Sequence, residues 1–121
     1  MKLACADFSW PLLEHDRVLA LIRLLDIEGL DLGIFAERSH IRPEMVRGDI
    51  PMWSGILKER IARAGLELAD FFFQASPAFE PLAINHPDPA PRAEARAMFD
   101  DMLELAHRLE SPGMTILPGA R

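Results

Sequence analysis

Apolar residues in this chain alternate between short continuous runs and helically spaced sets. Residues 3–6 form an apolar run that ends in polar positions, as in a buried strand. The next apolar positions recur at i, i+3, i+4 and i+7, which predicts one face of a helix: Val18, Leu21, Ile22 and Leu25. Asp16 is the expected N-cap of this helix, and Gly29 the expected left-handed residue beyond its end.

The same alternation is repeated further along the chain. Strands are predicted at residues 30–35, 68–73 and 114–117. A second helix is predicted from the spacing of Trp53, Ile56, Leu57 and Ile61, with Gly65 closing it. Asp88 and Pro89 resemble an N-cap followed by proline at the first helical position, so a third helix is expected from there to Pro112.

The resulting order, β-α-β-α-β-α-β, predicts a single α/β domain over residues 1–121 with a parallel sheet. The strand-to-helix loops, at residues 7–15, 36–50 and 74–88, are much longer than the helix-to-strand turns. Because loops at the carboxyl ends of parallel strands carry the sites in such folds, we expect all three to converge on one functional end.

Charge and cysteine content narrow the classes of partner. Thirteen basic and nineteen acidic residues give a formal net charge of −6, which disfavours nucleic acid and anionic membrane. The single cysteine, Cys5, excludes an internal disulfide and a cysteine-rich metal site. No run of 18 apolar residues is present, so a cytoplasmic protein is expected.

Nucleotide-binding folds receive little support. The first predicted strand is followed by DFSWP at residues 7–11, without any glycine, and the chain has no phosphate-binding P-loop. A Rossmann or flavodoxin-type fold therefore remains only as a minor alternative.

Five segments, in order along the chain, resemble the sugar-phosphate isomerase/epimerase group of the xylose-isomerase-like TIM-barrel superfamily. They are GLDLGIF (29–35), SHIRP (39–43), AGLELAD (64–70), INHPDP (84–89) and MTILPG (114–119). Proteins of this group form a full eight-stranded barrel. The resemblance therefore implies that this chain is the N-terminal half of a TIM barrel.

The resemblance implies a function in metal-dependent isomerisation or epimerisation of an aldose or ketose, through an enediol-like intermediate. The family holds a divalent metal (Mn, Mg or Zn) on strands of the second half of the barrel. No such metal is expected on this chain alone, which we expect neither to bind one tightly nor to turn over sugars. Its catalytic residues are unknown, and its expected contribution is the substrate pocket.

Four residues are candidates for substrate binding. Asp7, after the first strand, either holds a sugar hydroxyl or caps a turn. Trp10 either walls the pocket or packs internally. His40 either contacts the substrate or is a solvated loop residue, and His86 is either a pocket group or a local turn partner for the third helix.

Three arginines in the second loop offer a further possibility. Arg38, Arg42 and Arg47 could attract a substrate phosphate, although ordinary surface roles are favoured.

Two other classes stay open: a non-catalytic half-barrel module for assembly or binding, and a truncated product without activity. Half a barrel leaves two strand edges, at residues 3–6 and 114–117, and an inward face expected to be apolar through Leu32, Phe72 and Ile116 or their alternating neighbours. We therefore expect a homo-oligomer, or pairing with the remainder of the barrel, besides a sugar or sugar-phosphate ligand.

Overall fold

The computed structural model describes residues 3–78, 80–117 and 119. The predicted order of strands and helices is confirmed, and one short helix is added within the second long loop. Pro118, in the last of the family-like segments, lies outside the described residues. The elements are β1 (Ala4–Ala6), α1 (His15–Leu24), β2 (Gly29–Phe35), α2 (Pro43–Val46), α3 (Ile50–Arg63), β3 (Glu67–Gln74), α4 (Pro89–Arg108) and β4 (Met114–Ile116).

The four described strands form one parallel sheet in the order β1-β2-β3-β4. Each strand is thus the spatial neighbour of the next strand in the chain. Crossovers between parallel strands are right-handed almost without exception, so connections that always advance in one direction leave the helices on one face. The predicted α/β class with a parallel sheet is confirmed.

The hydrophobic core lies between the sheet and this helical layer. Alternate residues of the central strands have no exposed surface: Leu30, Leu32, Ile34 and Phe71. They belong to one cluster with the apolar faces of α1, α3 and α4, among them Val18, Ile22, Leu57, Ile61, Met102 and Leu105. Most of the helical positions predicted from the sequence lie on these buried faces, but Leu25, predicted for the face of α1, follows the end of the helix and is 53% exposed.

An irregularity between β2 and β3 decides which residues lie on the other face of the sheet. Leu30 pairs with Leu68, but Asp31 pairs with Asp70, so Ala69 is an extra residue in β3. Such a bulge lets Leu68 pack against the core while Asp70 moves to the face opposite the helices, beside Asp31. We call this second side, which carries Asp31, Gly33, Phe35, Asp70 and Phe72, the open face.

The expectation of an apolar inward face is therefore only partly right. Leu32 packs against the helices, Phe72 lies on the open face, and two carboxylates accompany it there. Strict alternation along the sequence does not reveal this, because the bulge shifts the alternation by one residue.

The ends of α1 also differ from the expectation. The helix begins at His15 with Glu14 at the N-cap position, and Asp16 lies in its first turn. The left-handed residue after the helix is Asp26, with φ of 60°, whereas Gly29 is already the first residue of β2. A Cβ at Gly29 would lie 2.8 Å from the Ala4 Cβ, so this glycine permits close approach of two strands. Gly65, with φ of 70°, follows α3 as predicted.

Among the described residues, no helix combines the length and apolar character needed to cross a membrane.

Replacing Leu105 with alanine tests the packing of α4. Leu105 is fully buried, so Leu105→Ala is expected to lower the free energy of unfolding by about 2–5 kcal/mol through lost burial and a residual cavity. Leu103→Ala, on the same helix at a side chain 47% exposed, is the matched control and is expected to change it by less than about 0.5 kcal/mol. Urea denaturation measures both, and equal losses would contradict the assigned buried face.

Candidate functional site

The loops after β1, β2 and β3 leave the same edge of the sheet, because the strands are parallel. The first two loops are in direct contact there, since the Nε2 atom of His40 lies 2.8 Å from the carbonyl oxygen of Leu13. The long loops predicted at one end of the sheet are therefore found at that end.

The carboxylate of Asp7, which is linked to His40 through the ring of His15, has no exposed surface. The ladder between β1 and β2 ends at the pair Ala6 and Asp31, so the next part of β2 has no strand beside it there. Asp7 Oδ1 takes that place and accepts a hydrogen bond of 2.9 Å from the backbone N–H of Gly33. Its Oδ2 lies 3.1 Å from the Nε2 atom of His15, at the start of α1, which donates to it.

Gly33 is required sterically in the middle of β2. A Cβ atom there would lie 2.4 Å from Cδ1 of Phe8 and 3.2 Å from Oδ1 of Asp7. The absence of a side chain lets the ring of Phe8, in the 3-10 turn Asp7–Ser9, lie over the strand.

His40 is held by the backbone on both sides. Ser39 is buried, and its hydroxyl accepts a hydrogen bond of 2.7 Å from the N–H of Phe35 and also contacts the carbonyl of Ile41. Ile41 in turn forms a bridge to Ile34 of β2. The His40 ring stacks on that of His15, with centroids 5.3 Å apart and planes inclined by 28°.

The two stacked histidines share an electrostatic feature. In each ring Nε2 is engaged, by Asp7 in His15 and by the carbonyl of Leu13 in His40. In each ring Nδ1 is buried and has no hydrogen-bond partner among the described residues. A buried polar atom left unpaired costs about 1–3 kcal/mol, and a hydroxyl group could satisfy either nitrogen only if it gained access to it.

Of the four residues predicted to bind substrate, the structure brings together two, Asp7 and His40, linked through His15. Asp7 lies beneath the surface with both oxygens hydrogen-bonded. Trp10 is half-buried and packs against the core. His86 makes a local contact, in which its Nδ1 accepts a 3.0 Å hydrogen bond from the N–H of Asp88.

The arginines of the second loop are not equivalent. The guanidinium of Arg47 lies 2.6 Å from Asp101 and 2.9 Å from Glu94, both on α4. Hydrogen bonds to Glu94 and Asp101 raise the pKa of Arg47 above its ordinary value. Its charge is thus already paired, whereas Arg38 and Arg42 are exposed.

A mostly apolar cleft opens at the carboxyl ends of β3 and β4. It has about 420 Å³ of space, part of which is open solvent, and Gln74 and Ser76 are its polar members. The amide of Gln74 donates a 2.7 Å hydrogen bond to the carbonyl of Ser76, which shapes the start of the third loop. Its apolar walls include Phe73, Leu82, Phe99 and Ile116.

The open face carries an acidic pair further from the loops, toward the amino ends of β2 and β3. Asp31 and Asp70 are directly opposite each other in the β2–β3 register. Partial burial raises the pKa of the Asp31 carboxyl, and the negative charges of Asp70 and Asp7 raise it further.

Within residues 3–78, 80–117 and 119, no three His, Cys, Asp or Glu side chains are grouped as metal ligands. The part of the chain described by the structure thus does not supply a site that fits the divalent metal implied by the family resemblance.

No protein-family model matches the sequence, and no curated protein matches it either.

The sequence pattern did not single out four residues that the structure places in or beside these contacts: His15, Gly33, Asp31 and Asp70. Three of them did carry a signal, because an aspartate or glycine within an otherwise apolar strand often marks a close approach or a paired charge. His15 carried none, since its partner Asp7 belongs to a different element and only the fold joins them.

Replacing His15 with alanine tests the Asp7 contact. His15→Ala leaves a fully buried carboxylate without one of its two donors, so the free energy of unfolding is expected to fall by about 3 kcal/mol. His107→Ala, at an exposed position of α4, is the control and is expected to change it by less than about 0.5 kcal/mol. Similar values for the two variants in urea denaturation would show that Asp7 does not depend on His15.

The raised pKa of Asp31 predicts a pH dependence. The folded chain keeps the Asp31 proton to higher pH than the unfolded chain, so stability falls as pH rises from the ordinary aspartate pKa, about 3.9, through the raised value. Asp31→Asn removes this loss, and its stability relative to the wild type is expected to increase across that window. Asp100→Asn, at an exposed position, is expected to show no such trend in chemical denaturation. A difference between Asp31→Asn and wild type that is constant with pH would refute the assignment.

Proposed function

We propose that this chain forms strands one to four of a (β/α) barrel of the xylose-isomerase-like sugar-phosphate isomerase/epimerase type. Its role in that barrel is to supply substrate-pocket loops for the isomerisation or epimerisation of an aldose or ketose. The proposal joins the family resemblance of five ordered segments to the geometry of the sheet and its loops.

The observation that carries the proposal is the sequential strand order, β1-β2-β3-β4, with the apolar faces of the helices packed on one side. A doubly wound nucleotide-binding sheet reverses its strand order at a switch point and has helices on both faces. A barrel instead places every strand beside the next one, with all helices outside and a second layer of side chains inside. The described part of the sheet has the second arrangement, which supports a barrel segment over the Rossmann alternative.

At the carboxyl end of the sheet, His40 is the residue best suited to contact a sugar. Its ring is oriented by the hydrogen bond to Leu13 and by stacking on His15, which Asp7 holds in turn. The Nδ1 of His40 is buried without a partner among the described residues, so a sugar hydroxyl would bond to it only by opening a path to that atom, and Trp10 would provide an apolar wall. Asp7 then acts as a positioning residue beneath the pocket and does not itself contact the ligand.

A divalent metal would be held by residues other than those described, because these do not group as metal ligands. Such a metal, when bound, would supply polarisation of the carbonyl and the neighbouring hydroxyl of the sugar. The proposed contribution of this chain is limited to binding and orienting the substrate.

The second candidate function is a non-catalytic half-barrel that assembles with another chain. The observation that favours it is the open face, which carries aromatic rings and paired carboxylates without a covering layer of helices. The two candidates differ in whether a sugar binds at the loop end.

Sugar binding is testable through Trp10. The chain has two tryptophans, so Trp53→Phe leaves Trp10 as the only indole reporter. Titration of this variant with aldose and ketose phosphates, and with the unphosphorylated sugars, is expected to give a saturable change in fluorescence. Adding His40→Ala is expected to weaken binding about tenfold, as for loss of one hydrogen bond.

The matched control is His107→Ala in the same Trp53→Phe background, which is expected to leave the titration unchanged. If no sugar alters the Trp10 emission, or if His40→Ala binds as tightly as its parent, the proposed pocket is wrong and the assembly module becomes the better candidate.

A further inference from the structure

The open face is built around a cluster of aromatic rings. Phe8 lies over Gly33 and contacts Phe35 at a centroid distance of 4.8 Å and Phe72 at 6.0 Å. Phe35 and Phe72 contact each other edge-on at 5.0 Å. All three side chains are only half-buried, so this side of the sheet still presents apolar surface.

On this face the acidic pair lies nearer the amino ends of the strands than the aromatic rings do. Asp31 precedes the carboxyl end of β2, Phe35, by four residues, or about 13 Å along the strand. Asp31 and Asp70 therefore lie well below the loops, where a ligand bound at the His40 end does not reach them. Like charges directly opposite each other destabilise a sheet, and burial makes the repulsion stronger.

No lysine or arginine among the described residues forms an ion pair with either carboxylate. The lysines and arginines of the described chain form their ion pairs on the helices and their connections, for example Arg47 with Asp101 and Arg60 with Asp16. The pair at Asp31 and Asp70 thus lacks a counter-charge from the described part of the chain, although both side chains are partly buried. A buried charge is normally compensated by a partner of opposite sign.

The two edge strands of the described sheet could be paired by whatever molecule covers the open face. Of the described strands, β1 and β4 are the outer ones, and each is flanked or formed by exposed apolar residues, Leu3 at 59% and Ile116 at 39% exposure. An occupant that adds parallel strands to both edges would pair their free backbone groups and cover the aromatic rings at once.

A second copy of this chain would bring like charges to the open face. Two copies arranged about a common barrel axis would turn Asp31 and Asp70 toward the same two carboxylates of the other copy. Each copy also carries a net charge of −6. Like-charge contacts at an interface cost several kcal/mol, so self-pairing is disfavoured.

We propose that the open face docks a polypeptide segment of parallel strands that presents a lysine or arginine to Asp31 and Asp70, in preference to a second copy of this chain. The proposal rests on the half-barrel geometry of the proposed function but not on its sugar chemistry. Charge complementarity selects the partner, and the aromatic cluster and the strand edges supply the contact area.

A charge-reversed variant of the chain is a suitable probe, because it keeps the same strands but carries two lysines on the open face in place of the two aspartates. Asp31→Lys/Asp70→Lys is mixed with the wild type and followed by sedimentation velocity in the absence of sugars. A one-to-one complex is expected, with affinity roughly 100-fold tighter than the self-association of either chain, and it should weaken at high salt.

The matched control is Glu44→Lys/Asp100→Lys, which makes the same change of net charge, from −6 to −2, at exposed positions on α2 and α4. It is expected not to pair with the wild type. Pairing of this control as tight as that of the probe would show that overall charge, and not the open face, drives association. Wild-type self-association as tight as the mixed complex would make a second copy the occupant, and either result overturns the proposal.

A second variant keeps the test decisive if the double-lysine chain does not fold by circular dichroism. Asp70→Lys places a lysine opposite Asp31 within one chain and neutralises the pair, so this variant is expected to self-associate at least about tenfold more tightly than the wild type. Absence of any gain in self-association would refute the role of the pair. Because no sugar is present, these results are independent of the Trp10 titration, and either proposal can fail without the other.

Discussion

The buried carboxylate of Asp7 is the interaction on which the loop end of the sheet depends. Because β1 is short, β2 continues beyond it with a backbone N–H that no strand accepts, and Asp7 Oδ1 supplies the missing acceptor. The other oxygen holds His15, and His15 supports the ring of His40. One side chain thereby joins the end of β1, the middle of β2, the start of α1 and the second loop.

The same region explains why β2 contains a glycine and an aspartate where an apolar strand would be expected. Gly33 leaves room for the Phe8 ring and for the Asp7 carboxylate, so the strand is adapted to the turn that follows β1. Asp31 faces Asp70 because of the extra residue Ala69 in β3. The open face therefore combines aromatic rings with an acidic pair, which is unlike the fully apolar layer of a buried core.

The proposed sugar pocket and the proposed docking surface occupy different levels of one sheet. The first lies at the carboxyl ends of the strands, around His40, and the second covers the side of the sheet that the helices do not. A parallel barrel combines both, because its interior packs into layers while its loops remain free to bind a ligand. The two proposals are thus compatible, but they rest on separate contacts.

The class of fold could be predicted from the amino-acid sequence. Local periodicity identified three long helices and four strands, and Gly65 and Pro89 marked helix ends, because these features depend only on neighbouring residues. Local periodicity did not predict α2. It also placed the N-cap of α1 at Asp16 and the left-handed residue after it at Gly29, where the structure has Glu14 and Asp26. The candidate site was predicted in part, since Asp7 and His40 were selected from their positions after β1 and β2.

The roles that those residues have in the fold could not be predicted from the sequence. That Asp7 is a buried support, that His15 is its partner and that His86 serves a local turn all depend on contacts between elements distant in sequence. The pairing of Asp31 with Asp70 depends on the register between two strands, and a single bulged residue changes it. Periodicity is a property of one segment, whereas register and burial are set jointly by several, which is why the sequence pattern alone did not reveal them.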